Sequence, residues 1–391
     1  MKMVPLGEVA AINPRSPKLQ HSEDVAFVGM AQLDEASAVA VPREYGPYSN
    51  FAHGYTPFED GDILAAKITP CWENGKIGQA HLGVRYGMGS TEFHVVRPTD
   101  AIDVRYALHF IRQSKIRDTG TLRMTGSAGQ RRVPTKYLTD LAIPLPPLDE
   151  QRRIAAILDK ADAIRQKRRQ AITHLDTLTQ SIFNEMFGNH PQTQSFSNVV
   201  AEFRYGTSNK SGETGYPTLR IPNVVPGHLK LNDLKTVSVS DDELERLRLN
   251  DGDLLFVRTN GNKDNVGKCS LFDSRLAAAS VTSDEPWIYA SYLIRARLKE
   301  EVLPEFAHAY FQSVVAQRRL QESSKTSAGQ YNVNIAGIGD VPVPVVSMEQ
   351  QIEFARLTSE VRKPVILAQE QFALSHKVFA SLQYRAFRGE L

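Results

Sequence analysis

Two stretches of the 391-residue sequence carry side chains suited to reading another molecule. The first, AAKITPCWENGKIG, offers Lys67, Thr69, Trp72, Asn74 and Lys76. The second, FVRTNGNKDNVGKC, offers Arg258, Thr259, Asn260, Asn262, Lys263, Asn265 and Lys268. Arginine and lysine donate to guanine O6 and N7 or to phosphate oxygens, while asparagine makes the bidentate contact to adenine. Loops that mix these types after equivalent strand-like runs suit base reading. Their Asn and Gly content fits two polar hairpin turns equally well.

A second pair of segments lies further along. Ser127 to Gln130 reads SAGQ and leads into Arg131 and Arg132; the same four letters recur at Ser327 to Gln330 and lead into Tyr331, Asn332 and Asn334. An identical frame followed by divergent polar residues fits one scaffold with two readouts, although a turn before a buried strand would explain the four letters themselves. Between Arg105 and Lys136 the basic residues Arg105, Arg112, Lys115, Arg117, Arg123, Arg131, Arg132 and Lys136 face a single acid, Asp118. Such a bias is the electrostatic footprint of a phosphate-binding surface, or a solvated helix face balanced by Asp100 and Asp103. The net charge of +2 adds no global argument.

Catalytic and metal signatures are missing where they would be legible. There is no phosphate loop, G-x-S-x-G elbow or H-E-x-x-H, no Pro-Asp dipeptide to open a nuclease site, and no adenine-methyltransferase tetrapeptide. Asp233 and Lys235 alone read as a surface turn. Two cysteines, Cys71 and Cys269, can build neither a disulfide framework nor a cysteine zinc site. No apolar run reaches the ~18 residues of a membrane span, and the N-terminus lacks a signal-peptide core, so a cytoplasmic, non-catalytic protein is expected.

The elements that must position the loops follow from periodicity. Residues 1–148 hold short β-branched and aromatic runs (VAFVGMA, GDILAAKI, EFHVVRP) broken by turn residues, with one helix expected from Val104 to Arg117 through Tyr106, Leu108, Phe110 and Ile111. Pro144, Pro146 and Pro147 end extended structure. Residues 149–187 then contain neither Gly nor Pro, and Asp149 caps the start of a helix that ends before Gly188. Its apolar stripe runs through Ile154, Ile157, Ala161, Ile164, Ala171, Leu175, Leu178 and Ile182, broken by Arg168, a snorkelling or register residue. At 1.5 Å per residue this helix would be roughly 57 Å long.

After the linker GNHPQTQ the pattern begins again. LGEVA at 6–10 is answered by SNVVA at 197–201, VAFVGMAQL at 25–33 by YPTLRIPNV at 216–224, and GDIL at 61–64 by GDLL at 252–255. EFHVVRP at 92–98 returns as YLIRARL, SAGQ returns 200 residues later, and DLAIPLPPLDEQ at 140–151 matches DVPVPVVSMEQ at 340–350. An ordered series at nearly fixed offset means duplication. The second half therefore also ends in a helix, at 347–391, with a stripe through Ile352, Leu357, Val361, Val365, Ala368, Phe372, Phe379 and Leu382 and a kink or break at Pro364. Pairing as an antiparallel coiled coil buries both stripes. The expected fold class is α+β: two β-rich domains in pseudo-two-fold tandem at 1–148 and 188–346, each followed by a long helix, at 149–187 and 347–391.

Together, GDILAAKITPCWENGK, GDLLFVRTNGNKDNVGK, the SAGQ pair, IPLPPLDEQRRIAAILDKADAI and the terminal FRGEL make the chain resemble the specificity subunit of type I restriction–modification systems. The resemblance implies two target-recognition domains, each reading half of a bipartite asymmetric double-stranded DNA site, with the helices setting the unread gap. It implies two methyltransferase subunits and restriction subunits as partners, with S-adenosylmethionine, ATP and magnesium on those partners and no cofactor in this chain. Half-sites one turn apart are ~34 Å between centres, within reach of such a rod. The family's recognition loops map onto Lys67 to Lys76 and Arg258 to Lys268, with Gln130 to Arg132 and Gln330 to Asn334 as neighbours. A related system with a fused nuclease–methyltransferase partner, and a coiled-coil scaffold for proteins alone, are the alternatives.

Overall fold

The alternating apolar runs form sheets. In a computed structural model the chain is described throughout except at residues 16, 17, 128, 129, 189, 232, 276–284 and 328. In the first half, Ala10–Ile12, Phe93–Pro98, Ile63–Ala66 and Ile77–Ala80 lie side by side in that order, all antiparallel, in a sheet that continues into Val39–Ala40 and Leu33–Asp34. In the second half, Val200–Tyr205, Leu293–Leu298, Leu254–Val257 and Cys269–Leu271 repeat that order and sense. Ile63–Ala66 and Leu254–Val257 are buried at every position, which is why GDIL and GDLL lead into unbroken apolar runs rather than alternating ones.

The duplication extends to polar detail. Arg97 forks onto Asp62 with Nε at 2.9 Å and Nη2 at 2.7 Å, and Arg297 forks onto Asp253 at 2.8 and 2.7 Å. Each carboxylate also accepts from a backbone amide three residues earlier, Glu59 at 2.7 Å and Asn250 at 2.8 Å. These bonds satisfy acids that are otherwise buried, and they fix the turn entering each central strand. Short antiparallel pairs, Met3–Pro5 with Ala142–Pro144 and Thr193–Ser195 with Pro342–Pro344, close each domain before its long helix.

The chain divides into two compact units, residues 1–171 with 368–391 and residues 172–367, so each unit holds one β-rich body and a piece of both long helices, Leu148–Phe187 and Met348–Ala386. In the first unit, Arg153 Nη2 donates to Leu391 O at 2.8 Å, the Arg165 guanidinium lies 4.6 Å from the Phe379 ring centre, and Arg168 Nη1 donates to Gln371 O at 2.6 Å. Numbers rise along one helix as they fall along the other, which is antiparallel pairing. Arg168 acts across that pair. In the second unit, Phe183 and Phe187 pack on Phe354 with ring centres 5.6 and 5.7 Å apart.

Several expectations are corrected. Val104 to Arg117 is two helices, Val104–Ile111 and Ser114–Leu122, because the chain turns at Arg112 and Gln113 and both helices then pack into one core; Tyr106, Leu108, Phe110 and Ile111 are buried as expected. The first long helix begins at Leu148, with Pro147 O receiving the amides of Glu150 and Gln151 in place of an Asp149 cap. Its buried face runs through Ile154, Ala155, Leu158, Phe183 and Phe187, whereas Ile164, Ala171 and Leu178 are exposed. In the second helix Phe354 is buried and Ile352 exposed. In each unit the pieces of both helices bury residues against that unit's β-rich body, so no single coiled-coil stripe describes them. Met348–Ala386 is assigned as continuous helix with Pro364 inside, so the chain does not break there; one missing donor is tolerated within a helix this long.

Candidate nucleic-acid interface

Each loop expected to read bases is joined to its SAGQ segment by the same backbone frame. In the first domain the Lys67 amide donates to Glu92 O at 2.8 Å and Lys67 O accepts from Val133 at 2.8 Å. The Thr69 amide donates to Arg131 O at 2.9 Å, and Arg132 exchanges a bond pair with Thr125 at 2.8 and 3.0 Å. In the second domain the Arg258 amide donates to Tyr292 O at 2.9 Å and Arg258 O accepts from Val333 at 2.9 Å. Thr259 and Asn260 pair with Asn332 and Tyr331, which pair in turn with Lys325 and Thr326. Lys67 and Arg258 thus hold one position, and Arg132 and Asn332 another. Ala128, Gly129 and Ala328 of the SAGQ segments lie outside the described residues.

The side chains divide into those that build the first frame and those that face outward. Trp72 is fully buried, and its indole N–H donates to Arg117 O at 2.8 Å. It is therefore no DNA contact but the anchor of its loop, since an apolar ring of this size inside the core cannot reach a groove. Lys76 is likewise tethered, its Nζ donating to Met30 O at 3.1 Å and Leu33 O at 3.2 Å beside Glu35. Thr69 donates its hydroxyl to Glu73. Asn74, Gln130 and Arg131 are exposed, Lys67 is half-buried, and Arg132 is held by Glu92.

In the second frame Arg258 lies 4.7 Å from the Tyr205 ring centre, and Nη1 reaches Ser291 O at 3.4 Å. Asn260 Oδ1 accepts from the Asn262 amide at 2.9 Å and from Asn265 Nδ2 at 3.3 Å, and Asn262 Oδ1 accepts from the Asp264 amide at 3.0 Å. Asn260 and Asn262 therefore shape the turn, and in this conformation both lone pairs of Asn260 Oδ1 are taken, so it cannot make the bidentate adenine contact. Thr259 donates to Gln330 Oε1 at 3.1 Å, and Asn332 Nδ2 donates to Gln330 O at 3.2 Å. Gln330 and Lys263 are exposed, and Tyr331, Asn332 and Lys268 half-buried.

Part of the basic run at 105–136 is internal wiring, while Lys115, Arg123, Arg131 and Lys136 are exposed. Arg105 pairs with Asp159 at 2.6 Å, Arg112 lies 3.6 Å from Asp162 and donates to Glu35 O at 2.8 Å, and Arg117 donates to Glu73 O at 2.9 Å. These partners, two carboxylates and two backbone carbonyls, stand 44 to 77 residues away in sequence, so counting nearby acids could not find them.

Sequence reasoning also missed residues. Glu92 and Tyr205 flank the two frames, and Tyr292 is an exposed aromatic at the position equivalent to Glu92. Gln151 and Gln351 lock the helix starts: Gln151 Oε1 accepts from the Asp103 amide at 2.8 Å while Nε2 donates to Ala101 O and Pro146 O. Gln351 accepts from Leu303 at 2.8 Å and donates to Glu301 O and Val346 O. Matching the segments at a constant offset of 200 would have paired Gln351, rather than Gln350, with Gln151. Among the described residues no group of three or more His, Cys, Asp or Glu side chains could hold a metal, and no helix is long and apolar enough to cross a membrane.

Two like domains, each presenting a polar frame of one backbone design and sharing a pair of long helices, define a tandem recognition protein. Residues 1–174 match the family model described as type I restriction modification DNA specificity domain. The chain is similar to the type I restriction enzyme EcoKI specificity subunit of Escherichia coli strain K12, with 30% identity over 342 residues, covering 81% of this chain and 72% of that protein. Its fold resembles the S subunit of a type I restriction–modification system from M. genitalium, with a TM-score of 0.51 at 12% identity over 99% of this chain and 96% of that one. It also resembles a chain from a structure described as the complex assembly and conformational transition of the type I restriction–modification system, with a TM-score of 0.50 at 17% identity over 100% and 98%. The chain belongs to the specificity subunits of type I restriction–modification systems, whose role is DNA sequence recognition.

Proposed function

We propose that each domain reads one half of a bipartite double-stranded DNA site through its own frame, and that the paired helices set the unread distance between the halves. The duplicated frame carries this reading. One backbone arrangement presents Lys67, Gln130, Arg131 and Arg132 in the first domain and Arg258, Gln330, Tyr331 and Asn332 in the second. A common scaffold with different donors and acceptors is what two unlike half-sites require. Lys263, Lys268 and Asn74 flank the frames at positions suited to phosphate contacts.

The helices carry the second part of the proposal. Ile164, Leu374 and Val378 in the first unit, and Leu178, Ile352 and Leu367 in the second, leave apolar surface exposed on elements otherwise rich in charge. Apolar residues exposed in this way suit docking by other subunits. We assign that surface to two methyltransferase subunits bearing S-adenosylmethionine, with ATP- and magnesium-dependent restriction subunits joining them and this chain holding no cofactor.

The test is to co-express the full chain with its methyltransferase partner and map methylated adenines. A split motif is expected, and exchanging residues 1–148 for those of another family member changes one half only. Methylation without a defined motif, or a change in both halves, overturns the proposal.

A further inference from the structure

Arg132 is bound along its Nε–Nη2 edge and keeps donor capacity on both terminal nitrogens. Its Nε donates to both oxygens of Glu92, at 2.9 and 3.1 Å, its Nη2 to Glu92 Oε1 at 2.8 Å, and its Nη1 to Gln130 O at 2.9 Å. A guanidinium has five N–H groups in a rigid plane. These contacts occupy one on each nitrogen, and among the described residues nothing takes the second hydrogen of either terminal nitrogen. Because the carboxylate sits on the Nε–Nη2 edge, the spare Nη2 hydrogen points away from it, toward the Nη1 side. The side chain remains 39% exposed, beside the exposed Gln130 and Arg131.

Two ligands accept a guanidinium edge in nucleic acid, a phosphate and the O6/N7 pair of guanine. The ion pair separates them. Arg132 already has its charge balanced, and Glu92 is kept ionised by its hydrogen bonds from Arg132, with the Lys67 charge nearby adding to the effect. A phosphate drawn to Arg132 would approach that carboxylate and be repelled, whereas the neutral base edge carries no such cost. Holding the guanidinium in place also removes the rotamer entropy that a free arginine loses on binding. In the second domain the equivalent positions are Asn332 and Tyr292, so this device belongs to one half alone.

We infer that Arg132 reads a guanine in the half-site of the first domain and that Glu92 is the residue that positions it. The inference rests on the DNA-reading role proposed above. The experiment uses the full chain in complex with its methyltransferase subunit, binding duplexes that carry each base in turn at every position of the motif, alongside methylation mapping. The first half-site is the one that changes when residues 1–148 are exchanged.

R132Q and R132K should each relax a single guanine position in that half by roughly tenfold to a hundredfold, with the second half unchanged as the control for folding. E92Q should relax the same position by a smaller factor. Lysine keeps the charge and loses the planar fork, so R132K behaving as wild type overturns the inference. So does R132Q weakening all sequences equally with a shallower salt dependence, which marks a phosphate contact. E92Q leaving the guanine preference intact while R132Q removes it overturns the positioning role. A wild-type complex that marks no defined motif defeats the DNA-reading proposal instead.

Discussion

Gln151 and Gln351 make the same three hydrogen bonds in the two halves of the chain: each side chain accepts one backbone amide and donates to two carbonyls that bracket the start of its long helix. Both are 1% exposed. Gln151→Leu would strand the Pro146 carbonyl in a buried site and leave the part-buried Asp103 amide and Ala101 carbonyl without that partner, at a cost of about 2–4 kcal/mol given ~1–3 kcal/mol per orphaned group and incomplete additivity. Urea denaturation should show that loss for either Gln→Leu variant. A change below about 0.5 kcal/mol would mean that water replaces the side chain.

Trp72 sets the loop that precedes the first frame. Its ring meets Tyr137 edge-on with centres 6.2 Å apart, and a Cβ added at Gly120 would lie 2.6 Å from it. Trp72→Ala should cost about 3–5 kcal/mol and weaken every first-domain base position together, because the loop loses its anchor. Gly120→Ala should destabilise the same site by overpacking it. Selective loss at one base position would restore Trp72 as a direct contact.

His94 gives the first domain a pH dependence at a position that is Ile294 in the second. Its Nε2 lies 2.8 Å from Val133 O, a carbonyl that can only accept, so Nε2 carries the proton; Nδ1 then accepts from Asn13 Nδ2 at 3.2 Å. Burial depresses its pKa below the ordinary 6.5, outweighing the Val133 bond. A histidine with a lowered folded pKa binds fewer protons folded than unfolded, so stability is full above the unfolded value and is lost as pH falls below it. Asp159 does not contribute in this window. Burial pushes its carboxyl up, but hydrogen bonds from His109 and Arg105 prevail and hold it at about 2. Denaturation midpoints of the first domain should fall below about pH 6.5, and His94→Gln should remove that slope. Persistence of the full slope in the variant would assign it elsewhere. The second domain carries Ile294 at the equivalent position.

What the sequence made legible depends on range. Strands such as GDIL and GDLL, the SAGQ pair and the paired long helices follow from local pattern and repetition, and the structure places them as equivalents. Partners far apart in sequence did not follow. Arg105, Arg112 and Arg117 read as an open basic face because Asp159, Asp162 and the Glu73 carbonyl lie elsewhere in the chain. Trp72 read as a loop residue because nothing local shows that Arg117 and Gly120 enclose it. Along the helices a single stripe failed because Leu158 faces a globular core, as do Phe183 and Phe354, while Ile164 and Leu178 face solvent.

The division of the chain at Ala171/Ile172 and Leu367/Ala368 falls within the two helices, which makes their length separable from the recognition frames. Inserting seven residues after Ala171 and seven after Leu367 preserves the heptad register of the pair, since seven residues span close to two turns. Each helix would lengthen by roughly 10 Å, about three base pairs of duplex at 3.4 Å per step. The methylated motif should then keep both half-sites and gain a longer unread gap, read out by mapping methylated adenines in cells carrying the lengthened chain and its partner. A gap of unchanged length would show that something other than the helices sets it. An altered half-site would show that the frames depend on helix geometry beyond the Gln151 and Gln351 anchors.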